Sequence, residues 1–272
     1  MPYRHAHYFI GFVLAVIIAG FWASYFAVSE SIPVAFHVHA VSAMAWLALL
    51  LGQHLVIQRR ANALHRQMGK ASFALFPFLI VGFVMIINVS AKSYAARESD
   101  FIMYNGPSFG IGMIVAIGAY ITLFYLALKN RRNVKLHAGY MLATPLILFE
   151  SPFSRVIGGN FPWMNVIGSE GFHGLIDTII ISNAMAMTLA FVLYLMDRRN
   201  GAPWLVAIGF IAAQSLAMWF APSSDMLGSL FDAYATIPRE MTLVAGLFAG
   251  AAAGWLGWEA GKRPKRAAVM PA

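Results

Sequence analysis

Three formally charged residues lie inside long apolar runs: Glu150, Arg155 and Asp177. An ionisable side chain in hydrocarbon is costly, so it normally faces a bundle interior and has a partner or a task. Histidines stand near them. His37 and His39 open one run, and His173 opens another, four residues before Asp177. The chain has no cysteine, so imidazole and carboxylate are its ligands for zinc or iron. His173 and Asp177 fall on one helical face. His37 and His39 diverge by about 200° on a regular helix, so one of the two faces inward. The outer candidate metal site is therefore His37 or His39 with Glu150, His173 and Asp177. Metal-activated water with Glu150 or Asp177 as base would make it a hydrolase. Without a metal, Glu150, Arg155 and Asp177 read as an internal ion-pair or proton-relay network of a transporter, sensor or accessory subunit.

A second set of histidines carries a different chemistry. The pattern Arg-Arg-x-x-x-Leu-His occurs twice, 72 residues apart, as Arg59-Arg60…Leu64-His65 and Arg131-Arg132…Leu136-His137. Each copy sits between two apolar runs and puts a histidine at the mouth of a helix. His54 lies just before the first copy. His39 and His54 are 15 residues apart, about 22 Å along one helix and about 60° apart in azimuth. Two stacked b-type haems need about that spacing. An outer haem would use His39 and His173, and an inner haem His54 with His137 or His65. Arg59, Arg60, Arg131 and Arg132 would hold propionates. Helices 5 and 6 carry one histidine each, so no partner helix repeats the paired spacing. A redox protein binding haem b or a zinc or iron ion is the leading reading, with a membrane hydrolase and a non-enzymatic transporter, sensor or subunit as alternatives.

The elements that must position these residues follow from composition. The chain is 60% apolar and 11% charged over 272 residues, against about 25% charged in a soluble domain. It lacks the polar surface of a soluble fold and reads as an all-α multi-pass membrane protein. Eight spans are expected, at 8–28, 33–57, 72–91, 109–128, 138–158, 174–196, 204–221 and 241–258. Residues 1–258 form one helical bundle and 259–272 a basic tail. Lysines and arginines concentrate at the N-terminus, in the loops 58–71, 129–137 and 197–203, and in the tail. The positive-inside rule then puts both termini in the cytoplasm of a bacterial-type inner membrane. The net charge of +8 is thereby an orientation signal with a secondary role toward anionic lipid headgroups, and nucleic acid is not implied. The repeated motif aligns helices 2–3 with helices 4–5 as parallel hairpins, either duplicated or convergent. The outer loops 92–108, 159–173 and 222–240 hold Pro, Gly and aromatics and are expected to be packed caps. Gly246, Gly250 and Gly254 form a small-residue stripe for helix packing.

The stretch His39…Trp46-Leu-Ala-Leu-Leu-Leu-Gly-Gln53…Arg59-Arg60…Leu64-His65-Arg66-x-x-Gly69, with His137-x-x-Tyr140-Met141 later, resembles a prokaryotic multi-pass membrane family of unknown function. That family carries a Gly-x-Gln helix end, a His-Arg-x-x-Gly hairpin and a His-x-x-aromatic-Met helix start. The resemblance covers residues 35–155. Gly52 and Gln53 are adjacent here, and Ala138 stands where arginine is common. The resemblance implies a seven- or eight-helix bundle with no established activity, and marks His39, Gln53, His65, Gly69 and His137. There is no Walker loop, dinucleotide fingerprint or His-Glu-x-x-His, and the last span has no lysine for a retinal Schiff base.

Overall fold

The computed structural model describes residues 3–28 and 31–262. Among these residues there are helices and turns and no strand. The long helices are α1 (Ala6–Phe21, continued by a π turn to Phe26), α2 (Val34–Gln58), α3 (Asn62–Ala95), α4 (Asp100–Lys129), α5 (Val134–Asn160), α6 (His173–Met196), α7 (Ala202–Phe220) and α9 (Arg239–Ala260). A shorter α8 covers Asp225–Ala235. Seven of these helices are long and apolar enough to cross a membrane: α1, α2, α3, α4, α6, α7 and α9. The run expected at 138–158 is α5, which has the length but carries Pro145, Pro152, Glu150 and Arg155.

The placement of α5 accounts for its polarity. It packs against α1, α2, α4, α6 and α7, so protein rather than lipid surrounds it. A helix wrapped this way need not be apolar on every side. The α4–α5 hairpin forms the middle of the molecule. The α2–α3 hairpin, α1 and α9 lie to one side of it, and α6 and α7 to the other.

The core is aromatic. Phe76 of α3 stacks on Phe124 of α4 with ring centroids 4.1 Å apart, and Trp46 of α2 packs against both. The indole Nε1–H of Trp46 donates to Thr144 Oγ1 at 2.9 Å. The Tyr120 hydroxyl donates to the Thr144 carbonyl at 3.0 Å. Trp46 and Tyr120 are fully buried, and these two bonds satisfy their polar ends while joining α2 and α4 to α5.

Close helix crossings depend on glycine. A Cβ at Gly20 of α1 would stand 2.1 Å from the Pro152 carbonyl oxygen of α5. The stripe on α9 packs as its spacing implies. Gly246 faces Val84, Gly250 faces the Pro77 backbone and Gly254 faces Phe73, all of α3.

Two of the expected caps are helical. The first loop is short, because α4 starts at Asp100 with the Ser99 hydroxyl accepting from Ile102 N at 3.3 Å. Asn105-Gly106-Pro107 therefore lies inside α4. The third contains α8, whose Phe231 packs on Tyr94 of α3. The segment 161–172 is irregular, with a 3-10 turn at Pro162–Met164. Of the expected basic tail, residues 259–260 belong to α9, and Arg263, Lys265 and Arg266 lie outside the described residues.

Candidate functional site

The site is built at the end of the bundle that carries both arginine motifs. Asn133 caps α5, its side chain accepting from Leu136 N at 3.2 Å, and so fixes the first turn of that helix. His137 follows in that turn. Its Nδ1 lies 2.8 Å from the Ala127 carbonyl oxygen at the end of α4. A carbonyl only accepts, so Nδ1 carries the hydrogen and a neutral ring presents its lone pair at Nε2. Histidines that bind metals are commonly oriented by this kind of bond.

His65, one turn into α3, lies within electrostatic range of His137. Its Nδ1 is buried and has no hydrogen-bond partner. Gln53 of α2 donates from Nε2 to the His65 carbonyl at 3.2 Å, while its Oε1 is buried without a partner. A Cβ on Gly69 would lie 3.4 Å from Gln53 Nε2. Gln53, His65, Gly69 and His137, four of the positions marked by the family resemblance, thus gather at this end. Buried polar atoms without partners are uncommon in folded proteins. Here one imidazole nitrogen and one amide oxygen are left open beside a histidine with an oriented lone pair.

The four arginines of the motifs behave differently. Arg59, Arg60 and Arg132 are exposed. Arg131 donates to the carbonyls of Leu128 at 3.0 Å and Trp258 at 2.8 Å, and its guanidinium stands 4.1 Å from the Trp258 ring centre. It braces α9 while remaining within electrostatic reach of His137.

His54 does not face His65 or His137 in this arrangement. Its Nε2 meets the Gln58 amide at 2.7 Å, the Arg4 carbonyl at 3.3 Å and His7 Nδ1 at 3.4 Å. The sequence reading passed over His7 and Gln58. Their signal was His5-x-His7 immediately before the first apolar run, and His54 one helical turn before Gln58.

The residues expected to share an outer site occupy separate helix crossings. His37 is exposed and pairs with the Tyr25 hydroxyl at 2.7 Å. His39 sits at the α2–α3 crossing with its ring 4.7 Å from that of Phe83, and its Nδ1 has no partner. The two diverge as helical geometry requires. Glu150 is buried on α5. Arg155 donates to Ser151 O at 2.7 Å and Ser151 Oγ at 2.9 Å and covers the Phe21 ring. The three ion pairs among the described residues are Arg97–Asp232, Lys135–Asp197 and Lys262–Glu259, so the expected Glu150–Arg155 and Asp177–Arg155 pairs are not formed.

Asp177 is fully buried. Its Oδ2 accepts from Ser169 N at 2.7 Å and Asn165 Nδ2 at 3.2 Å, which ties the irregular outer segment to α6. His173 Nδ1 meets the Tyr104 hydroxyl at 2.9 Å, and Trp219 packs edge-on against its ring. His39 and His173, the expected outer haem pair, therefore stand at different crossings: α2–α3 for one and α4–α6–α7 for the other. No group of three or more His, Asp or Glu side chains among the described residues is placed to hold a metal ion. The outer residues depend on three helices, α2, α5 and α6, whose azimuths the sequence does not fix, and they face different neighbours.

No known protein family, curated protein or solved structure matches this chain.

Proposed function

We propose that the chain is an eight-span protein of the bacterial-type inner membrane, with both termini in the cytoplasm. In this reading it binds a haem or a transition-metal ion between His65 and His137 and has a redox role. α5 is the eighth span, and its protein-lined position supports counting it. The basic residues of the motif end then meet anionic lipid headgroups.

One observation carries the cofactor reading. The histidines of the two motif copies lie at one end of the bundle within reach of each other's charge, one with its Nε2 lone pair oriented by the Ala127 carbonyl and the other with a buried nitrogen left open. Two imidazoles are the protein ligands of a b-type haem, and imidazole also suits zinc, copper, iron and nickel. Each of the hairpins α2–α3 and α4–α5 supplies one ligand, which supports reading them as a duplicated unit. The hydrolase alternative would need Glu150 and Asp177 around one ion, and no contact of either residue favours it.

The test is an absorption spectrum of the purified protein, oxidised and dithionite-reduced, together with its metal content. A Soret band, or a transition-metal equivalent that disappears in His137→Ala, is expected. Protein from haem- and metal-replete cells that contains neither would overturn the reading.

A further inference from the structure

Four heteroatoms meet where α1 begins and α2 ends: His7 Nδ1, His54 Nε2, the Gln58 side-chain amide and the Arg4 carbonyl oxygen. The separations are 3.4 Å between the two imidazole nitrogens, 2.7 Å from His54 to the amide and 3.3 Å from His7 to the amide. The carbonyl oxygen lies 2.7 Å from the amide and 3.3 Å from His54 Nε2. The rings of His7 and His54 lie nearly parallel, with centroids 5.4 Å apart.

Hydrogen bonding among these atoms depends on the imidazole tautomers. The Arg4 carbonyl accepts only, and each neutral imidazole has one N–H and one lone pair. In the tautomers with hydrogen on His7 Nε2 and His54 Nδ1, both facing nitrogens present lone pairs and the Gln58 amide is the donor between them. Several lone pairs facing one small volume suit a cation. In a tetrahedral ion site with metal–ligand bonds of about 2.0–2.1 Å, ligand atoms lie about 3.3 Å from one another. Three of the five separations match this edge, and the two 2.7 Å contacts of the Gln58 amide are hydrogen bonds that an ion would replace and lengthen. A half-turn of the Gln58 amide exchanges its nitrogen for its oxygen in the same place. Gln58 is also the last residue of α2, where the helix dipole favours positive charge.

We propose that His7 Nδ1, His54 Nε2, Gln58 Oε1 and the Arg4 carbonyl form a site for a divalent transition-metal ion. The class is the imidazole-seeking ions, zinc and cobalt among them. The ion clips the start of α1 to the end of α2. His5, exposed and with its ring centroid 6.5 Å from that of His7, is an accessible neighbouring imidazole through which the ion exchanges. This site shares no residue with the His65–His137 pair and does not depend on it.

The experiment uses the full chain in detergent micelles, purified through a C-terminal tag free of histidine. Cobalt(II) is titrated as the probe, its visible ligand-field absorption reporting tetrahedral coordination, and zinc is used in competition. One saturable equivalent is expected in the His137→Ala background, where the His65–His137 pair is removed. His7→Ala and Gln58→Leu should each weaken binding tenfold or more, and Gln58→Glu should tighten it by adding a carboxylate. Gln58 is exposed and His7 is in the first turn of α1, so these variants keep the fold. His65→Ala and His137→Ala should retain this cobalt site, which keeps its failure distinguishable from failure of the redox reading. Absence of a saturable equivalent, or affinity unchanged in both His7→Ala and Gln58→Leu, would overturn the proposal.

Discussion

The two Arg-Arg-x-x-x-Leu-His segments share a pattern and build different hairpins. In the first, Arg60 adopts φ of 58°, both arginines are exposed, and α3 starts from Ala61 with no side-chain cap. His65 keeps an unpartnered nitrogen. In the second, Asn133 caps the helix, Arg131 is wedged against Trp258 of α9, and His137 is bonded to Ala127. The difference follows from position. The α4–α5 hairpin is central and α9 packs against α4, while the end of α2–α3 meets fewer partners. A repeated basic motif thus identifies an end of the bundle, and its neighbours decide what each residue does there.

The largest contrast should be in cofactor content. His137→Ala removes the residue whose lone pair is already oriented and should abolish binding, whereas His65→Ala should weaken it, as read by the Soret band or metal content. Equal losses would mean that the two copies act alike.

Arginine variants should separate next. Arg131→Ala breaks two charge-assisted bonds and a cation–π contact, and should cost about 1–3 kcal/mol in thermal unfolding in micelles. Arg59→Ala should stay within about 0.5 kcal/mol. If Arg131→Ala is as mild as Arg59→Ala, the bracing role is wrong. Loss of the α5 cap in Asn133→Ala should cost about 1 kcal/mol, and Ala61→Asn should recover up to that much at the uncapped copy.

The smallest effect concerns a surface pair found only at the second copy, Lys135–Asp197 at 2.7 Å. The lysine, and then Asn200, hold the Asp197 carboxyl below its ordinary value of 3.8. A depressed carboxyl stabilises above its unfolded value, and this is lost as pH falls through the folded one. The melting difference between wild type and Asp197→Asn should therefore shrink on acidification below about pH 4. A difference that persists unchanged in acid would assign it to something other than ionisation.

Much of the fold was legible because the bilayer imposes it. The apolar helix lengths and the small-residue stripe of α9 are what a hydrocarbon solvent asks of a chain. The helix α8 was not legible, since its eleven residues fell in a segment rich in turn formers. The site was legible in residue type and not in partnership. His137 and His65 were marked by their motif, but the Ala127 carbonyl leaves no trace in side-chain identity. Asp177 reads as a ligand because it is an acid within an apolar run; its Oδ2 accepts from backbone and amide donors of the outer segment, while its Oδ1 is buried without a partner. His7 was overlooked because a residue flanking the first span carries no periodic signal, and only the return of α2 brings His54 beside it.

The glycine face of α9 has a consequence for biogenesis. It seats against Val84, Pro77 and Phe73 of α3 and against Tyr125 of α4, and α9 is the last of the described helices to be synthesised. Until it enters the bilayer, the seam between α3 and α4 stands open to lipid, and Arg131 lacks the Trp258 surface that holds it. α9 therefore seals this side only after α3 and α4 are in place, and a chain arrested before Arg239 would keep the α3–α4 seam uncovered.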